Sequence, residues 1–473
     1  MRDSGVEWLA RVPEHWEVRR LKTMVTNIVD PTSRRASGRF CLALENVESW
    51  TGKLRPPDEA VGFDSQLKRF RAGDILFGKL RPYLAKVTKP ERDGACVGEF
   101  LVLRPLHSNT VPSYMELLLR SRPVIEEVSG STFGAKMPRS DWMFLGGLHM
   151  PLPPLPEQRA IARFLDDADR RIRRYIKTKE RLIELLEEER RATIHQAVTG
   201  RIDVRTGQPY PAYRDSGVEW LGKVPEHWEV RRLRRCVRSM GGMTPSMQTP
   251  AYWGGAIPWV TPKDMKKEAI GDSEIKVTQA ALDGTSLRLV DAGGVLIVVR
   301  GMILAKRIPV AWTSKPVTIN QDMKALTPAQ GIAGEFLASA LRSAQGVLRS
   351  FVEVAGHGTC RLPSERWRSL PITIPPANEQ TAIARFLAGA GRRLSARRVS
   401  LARQIALLRE YRTRLISDVV TGKLDVREAA AKLRDSAGRT DAEDASRKPT
   451  SERLRPRAPG TTAPTGSATP VRA

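Results

Sequence analysis

The twenty residues from Asp3, DSGVEWLARVPEHWEVRRLK, return from Asp215 as DSGVEWLGKVPEHWEVRRLR, 212 positions later. Two further blocks repeat at an offset of 222: LPPLPEQRAIARFL (Leu152 to Leu165) with IPPANEQTAIARFL (Ile374 to Leu387), and LLEEERRATIHQAVTGRIDVR (from Leu185) with LLREYRTRLISDVVTGKLDVR (from Leu407). The chain is thus a tandem duplication of about half its length. Two long copies exclude a solenoid, whose stacked units recur every ~20–50 residues. Between the first and second blocks, roughly residues 23–150 and 235–373, the copies match poorly. Drift alone would erode all segments alike. A retained frame around divergent inserts points to one task performed on two different targets.

The frame contains two long helices. Prolines stop at Pro156 and do not return until Pro209, and Glu157 opens the run with the acid that a helix N-terminus favours. Apolar positions then step by threes and fours: Ile161, Leu165, Ala168, Ile172, Tyr175, Leu182 and Leu186 in the first copy. The second copy gives Ile383, Leu387, Ala390, Leu394, Leu401, Leu408 and Leu415. Gly200 and Gly422 are the expected stops. Such heptad-like stripes predict helices of about 40 residues, roughly 60 Å long. The first is basic early (Arg170, Arg171, Arg173, Arg174, Lys177) and acidic late (Glu184, Glu187, Glu188, Glu189). The second is basic early (Arg392, Arg393, Arg397, Arg398). An antiparallel pair sets acid against arginine, and a parallel pair sets arginine against arginine. The expected fold is therefore α/β (α+β): two copies of a mixed domain joined by two long antiparallel helices that form a coiled-coil spacer, with pseudo-two-fold symmetry.

Both inserts combine short β-leaning runs with turns. VPSYMELLLRSRPVIEEVS reads as a helix, and AGDILFGKLRPYLAKV as strand, turn and strand. GDILFGKLR…LAK and GGVLIVVRG…LAKR occupy comparable places, so the inserts are expected to share a fold while differing in surface. Cations cluster at the turns: Lys79, Arg81 and Lys86; Lys136 and Arg139 in TFGAKMPRSDW; Lys263; Arg300 and Lys306; and Arg361 in GHGTCRLPSERW. Arg and Lys in Gly-containing loops suit phosphates and guanine edges. These nine residues are the candidate DNA-binding set. For any one of them, a solvated basic turn is the plainer reading.

The formal charge of +26 and pI of about 10.4 favour polyanions or acidic partners, nucleic acid first. An arginine-rich proteome is the bland alternative. No apolar run has the ~18–20 residues of a membrane span, and the N-terminus lacks a signal-peptide core, which leaves a cytoplasmic expectation. Cys41, Cys96, Cys236 and Cys360 form no CxxC pair and read as reduced, buried thiols. Six histidines show no HExxH spacing, and neither an NPPY tetrad nor a GxxxxGK[ST] loop occurs. His15 and His227, each beside a tryptophan, read as packing residues.

With these features assembled, the sequence resembles the specificity subunits of type I restriction–modification systems. DSGVEWLGKVPEHWEVRRL, GDILFGKLRPYLAK, FLVLRP, YWGGAIPWVTPKDM, TINQDMKAL, PLPPLPEQRAIARFLD and VTGKLD carry the likeness, which covers residues 1 to about 428. The resemblance implies target-recognition domains at 1–150 and 206–375 and spacer helices at 151–205 and 376–428. The tail at 429–473 departs from it and, being Ala/Pro/Thr/Arg-rich with few large apolar residues, is expected to be disordered. It implies that each domain reads half of a split double-stranded DNA site. The helices would set the gap and dock two methyltransferase subunits, and the assembly would recruit restriction subunits. Ile161, Leu165, Ile172, Leu182, Leu186, Ile383, Leu387, Leu394, Leu401 and Leu408 are the partner-binding candidates. The chain itself would be non-catalytic and bind no cofactor or metal; S-adenosylmethionine, ATP and Mg2+ would serve the partners. One departure is that PYPAYR precedes Asp215 while the first copy opens at MRDSGVEW, which reads as a late start or a trimmed copy. The rival readings are a nuclease or methylase acting alone, and a scaffold for acidic proteins. Cofactor-supplemented DNA assays and DNA shift assays separate them.

Overall fold

The structure, a computed structural model, describes residues 1–32, 40–55, 67–132, 134, 137–354 and 358–433. Of the tail expected to be disordered from residue 429, residues up to 433 instead belong to a short helix over 427–433 with Ala430 buried, and the rest lies outside the described residues. Two compact units share the chain: unit 1 comprises Met1–Arg174 and the segment from Leu407, and unit 2 comprises Tyr175–Ala406.

Unit 1 is built on an antiparallel sheet in the order Val25–Ile28, Phe100–Pro105, Ile75–Gly78, Val87–Thr88. Ile75, Leu76, Phe77 and Gly78 are all buried, as a short apolar run in a central strand should be. A second sheet orders Pro31–Thr32, Leu67–Phe70, Gly94–Val97 and Cys41–Leu42. Unit 2 repeats the central order with Val237–Gly241, Met323–Pro328, Val295–Val298 and Val310–Thr313, and adds Ala269–Ile270 at the edge. The inserts therefore share a sheet despite their poor sequence match. The single helix expected over VPSYMELLLRSRPVIEEVS is two, Pro112–Leu119 and Arg122–Gly130. Pro123 has no N–H to continue the first helix, so the chain restarts after an extended Ser121.

The long helices, α1 (Leu155–Val198) and α2 (Ala377–Val420), each span 44 residues. They run antiparallel within each unit. In unit 1, Asp169 meets Arg412, while Glu157, earlier on α1, lies 4.0 Å from Arg427 beyond the end of α2. In unit 2, Lys179 donates to Gln404 at 2.6 Å, Glu187 faces Arg398 at 3.8 Å, and Ala197 and Val198 pack with Ile383 and Leu387. As numbers rise on α1 they fall on α2. The apolar stripe is buried at Ile161, Leu165, Ile172, Leu186, Ile383, Leu387, Ala390, Leu394 and Leu415. Tyr175 and Leu182 leave it and are exposed. All four cysteines are buried free thiols, and burial pushes Cys96 up to about 12.

The repeated blocks explain themselves at the helix starts. Gln158 accepts from Val111 N and donates to the carbonyls of Asn109 and Pro153, at 2.8–2.9 Å. Gln380 makes the same three bonds, to Ala333 N and the carbonyls of Gly331 and Pro375. The Gln of each PxxEQ thus ties a long helix to the helix that begins at Pro112 or Gly334. The preceding Glu reaches the HW dipeptide: Glu157 meets His15 at 2.8 Å and Glu379 meets His227 at 2.9 Å. Gly200 and Gly422 cap the helices at φ +73° and +77°. A Cβ at either would come within 2.4 Å of Pro225 or Pro13, so only glycine allows the HW loop to close on the helix end.

Candidate nucleic-acid interface

In unit 1 the strand Ile75–Gly78 leads to Lys79, Leu80 and Arg81, which turns into the 3-10 segment Pro82–Leu84 with φ +51°. Leu80 forms an isolated antiparallel bridge with Arg139, and Arg81 N donates to the carbonyl of Pro138 at 2.8 Å. Unit 2 builds the same corner. Strand Val295–Val298 leads to Arg300 and Gly301, which starts the 3-10 segment Met302–Ala305. Arg300 bridges Arg361, and Gly301 N donates to Cys360 O at 2.9 Å. A strand-to-loop turn clamped by the segment that closes the insert is thus the local device of both units.

The corner sorts the candidate cations. Arg300, Lys306, Arg361 and Lys263 are exposed in unit 2, and Arg81 in unit 1, and none has an ion-pair partner among the described residues. The structure brings Arg300 and Arg361 together beside Met302, which is 77% exposed. Lys263 sits in a separate turn, whose backbone is fixed by Asp264 accepting from Thr261 N at 2.8 Å. Lys79 is half-buried next to the unit 1 corner.

Two candidates are otherwise engaged. Lys86 folds back to donate to the carbonyl of Leu44 at 2.5 Å, and burial, helped by Arg55, lowers its pKa. Arg139 pairs with Glu99 at 3.1 Å, and that hydrogen-bonded carboxylate holds its pKa up. Their backbone positions fit the sequence reading, but their charge is already partnered within the chain. Lys136 lies outside the described residues, as do Gly356 and His357 of the GHG loop.

The partner-binding candidates also need correction. Ile161 and Leu165 belong to the unit 1 core, Ile383 and Leu387 to a core of unit 2, and Ile172, Leu186 and Leu394 are buried. A side chain consumed by internal packing offers no surface to another protein. Leu401 and Leu408 are half-buried and Leu182 is exposed. The large apolar side chains that the helices do expose include Tyr175, Leu182 and Leu185 in unit 2 and Leu407 and Tyr411 in unit 1.

Sequence reasoning missed the buried arginines. Arg120 pairs with Glu116 at 2.6 Å, and burial raises the Glu116 carboxyl against that pull. In unit 2, Arg342 and Arg190 share Glu268, and burial together with Arg190 pushes Arg342 down to about 10. Nothing in local pattern distinguishes these arginines from solvated ones. No group of His, Cys, Asp and Glu able to hold a metal occurs among the described residues. No helix there is long and apolar enough to cross a membrane.

The family model for the type I restriction modification DNA specificity domain matches residues 225–398. Those residues are similar to that family. They hold the Arg300–Arg361 corner and the first part of α2, so the resemblance read from the sequence holds. The specificity subunit of the type I restriction enzyme EcoR124I/EcoR124II from Escherichia coli is 32% identical over 192 residues, 40% of this chain and 46% of the relative. The MjaIX specificity subunit of Methanocaldococcus jannaschii is 30% identical over 174 residues, 35% of this chain and 38% of the relative. The chain thus spans less than half the length of these curated relatives. A solved chain, from work on complex assembly and conformational transition of the type I R-M system, superposes with a TM-score of 0.69. At 19% identity it covers 88% of this chain and 100% of its own length, and establishes a shared fold. The corner at Leu80 and Arg139 repeats the specificity domain's device outside the matched residues.

Proposed function

We propose that the chain is the sequence-reading subunit of a type I restriction–modification complex and that it reads a bipartite double-stranded DNA site. The single observation that carries this reading is the clamped corner: Arg300 and Arg361 sit on it inside the specificity domain, and Leu80 and Arg139 recreate it in unit 1. Two equivalent corners on inserts of unlike sequence suit two half-sites of unlike sequence. Exposed guanidinium groups would neutralise phosphates and set the register, and a few further side chains would read base edges. The recognition domains are proposed at 1–150 and 206–375, with 151–205 and 376–428 as spacer. The antiparallel helices would fix the gap. Their exposed Tyr175, Leu182, Leu185, Leu407 and Tyr411 would dock two methyltransferase subunits, with restriction subunits joining that assembly in the cytoplasm. Catalysis, with S-adenosylmethionine, ATP and Mg2+, would belong to those partners.

The test is domain exchange. Replacing residues 23–150 with the corresponding insert of another specificity subunit, co-expressing methyltransferase subunits and mapping methylated adenines should change one half-site and leave the other. A change in both half-sites, or in neither, refutes the modular reading.

A further inference from the structure

The turn that follows each clamped corner exposes one large apolar side chain. In unit 2 it is Met302, 77% exposed, at the start of Met302–Ala305. In unit 1 it is Tyr83, 48% exposed, within Pro82–Leu84. A single exposed apolar side chain is ordinary on a protein surface. This pair stands out by its place, because unlike side chains occupy the same local device in two inserts of unlike sequence.

The backbone under Met302 is pinned on both sides. Gly301 N donates to Cys360 O at 2.9 Å, and Val299 N and Arg300 N donate to Asp322 O at 2.8 and 3.2 Å. Past the turn, Arg349 Nη2 donates to Ala305 O at 3.2 Å. Leu304 is buried in the unit 2 core, and Ile303 packs against that core. The turn is therefore fixed by its neighbours, while the Met302 side chain takes no part in the packing. Arg300 and Arg361 lie beside it and Lys306 follows the turn, all three exposed and without an ion-pair partner among the described residues. Free cations around an apolar tip suit a polyanion rather than an apolar protein surface. On DNA they would hold phosphates, which carry no sequence information. The apolar group that a base pair offers in the major groove is the C5-methyl of thymine. A polarizable, unbranched thioether chain is suited to cover it.

We propose that Met302 is a specificity-determining residue that reads a thymine methyl in the half-site of unit 2. The inference rests on the DNA-reading proposal and deepens it. Arg300 and Arg361 would seat the groove on the corner, and the Met302 side chain would then cover the methyl and exclude water from it. Cytosine, with hydrogen at the same ring position, offers nothing to cover.

The test uses the full chain with co-expressed methyltransferase subunits, titrated with duplexes that carry its own methylation-mapped site. Deoxyuridine, which differs from thymidine by that methyl alone, replaces each thymine of the site in turn. At one position, in the half-site that exchange of residues 23–150 leaves unchanged, it should weaken binding about fourfold, as expected for one buried methyl group. Met302→Ala should weaken the thymine duplex by a similar factor and bind the deoxyuridine duplex nearly as the parent does. Its salt dependence should match the parent's, because no charge is lost. Met302→Leu should keep the preference. At so exposed a position both substitutions are close to neutral for folding. If no site is bound specifically, the DNA-reading proposal fails and this one with it. If the site is bound but no thymine is sensitive, if Met302→Ala weakens both duplexes alike, or if the Met302-dependent thymine lies in the other half-site, only the role of Met302 is overturned.

Discussion

Replacing Glu379 by alanine should cost unit 2 far more than the equivalent Glu157→Ala costs unit 1. Glu379 gathers four donors. Trp228 and Tyr210 are buried, whereas His227 and Arg205, the latter 3.4 Å away, are a little under half exposed. Each buried donor left without an acceptor costs roughly 1–3 kcal/mol, while the exposed pair can turn to water and loses about 0–1 kcal/mol. The expected loss is about 4 kcal/mol. Glu157→Ala releases half-exposed His15 and a distant Arg427, and Trp16 is already unpartnered, so about 1 kcal/mol or less is expected. For units of this size the ~3 kcal/mol difference corresponds to roughly 6–12 °C in Tm. Calorimetry of the full chain, with hydrogen exchange at Tyr210–Tyr213 and Trp228 to assign the transition, measures it. Acid should reproduce the effect. Burial alone would raise the Glu379 carboxyl, but the bonds from His227, Trp228, Tyr210 and Arg205 outweigh it and the native value is lowered. The native state therefore releases this proton more readily than the unfolded state. The stabilisation is whole above the ordinary glutamate range of ~4.3 and fades as pH falls through the lowered native value. Equal losses for the two variants would refute the reasoning, as would a stability of unit 2 that rises below pH ~4.

Further outcomes follow from the other sites. Arg300→Ala and Arg361→Ala should each weaken DNA binding across all sequences and make the log–log salt slope shallower by about 1, read by titration at several salt concentrations, whereas Arg139→Ala should change it little because Glu99 already holds that charge. Glu116→Ala strands the guanidinium of Arg120 in the core and should cost about 3–5 kcal/mol in urea unfolding, while replacing both by apolar residues of similar volume should recover much of it. Inserting one helical turn, ~5.4 Å, into α1 and α2 together should lengthen the gap between half-sites in methylation maps. An unchanged gap would show that the helices are not the ruler.

The long helices were legible because their signals are local and redundant. The proline gap after Pro156, the three-and-four apolar stepping and the glycine stops each depend on near neighbours alone, and α1 and α2 begin and end within a few residues of those marks. Their antiparallel sense was also read correctly, though the charge pattern behind it is only partly realised. Of the expected pairs between late acids and early arginines, Glu187 with Arg398 forms. Arg170, Arg171 and Arg173 instead pair with Asp166, Asp167 and Asp169 on their own helix, and Glu184 and Glu188 with Arg181. A pair one turn apart orders its side chains at little entropic cost, so it competes well with a pair across helices. The candidate interface was half legible. Lys86 and Arg139 looked like Arg300 and Arg361 in sequence, and only the fold shows that a carbonyl and a carboxylate had claimed the first two.

The buried arginines show why a duplicated frame can hold its geometry while its chemistry drifts. At the 222-residue offset Arg120 corresponds to Arg342, and Arg412 to Arg190. In unit 1 each has its own acid: Glu116, one turn earlier on the helix that Arg120 ends, and Asp169, on α1 facing Arg412 on α2. The same offset puts Ala338 and Gly391 where those acids would stand in unit 2. Without a carboxylate, the buried guanidinium of Arg342 beside the partly exposed one of Arg190 would cost several kcal/mol, so a replacement had to come from elsewhere. Glu268 supplies it, from the insert rather than the frame, and meets both arginines. A frame residue of unit 2 thus depends on a residue of its own recognition insert. Exchanging that insert without an acid at the position of Glu268 should therefore destabilise unit 2, whereas exchange of residues 23–150 removes Arg120 and Glu116 together and leaves the Asp169–Arg412 pair intact.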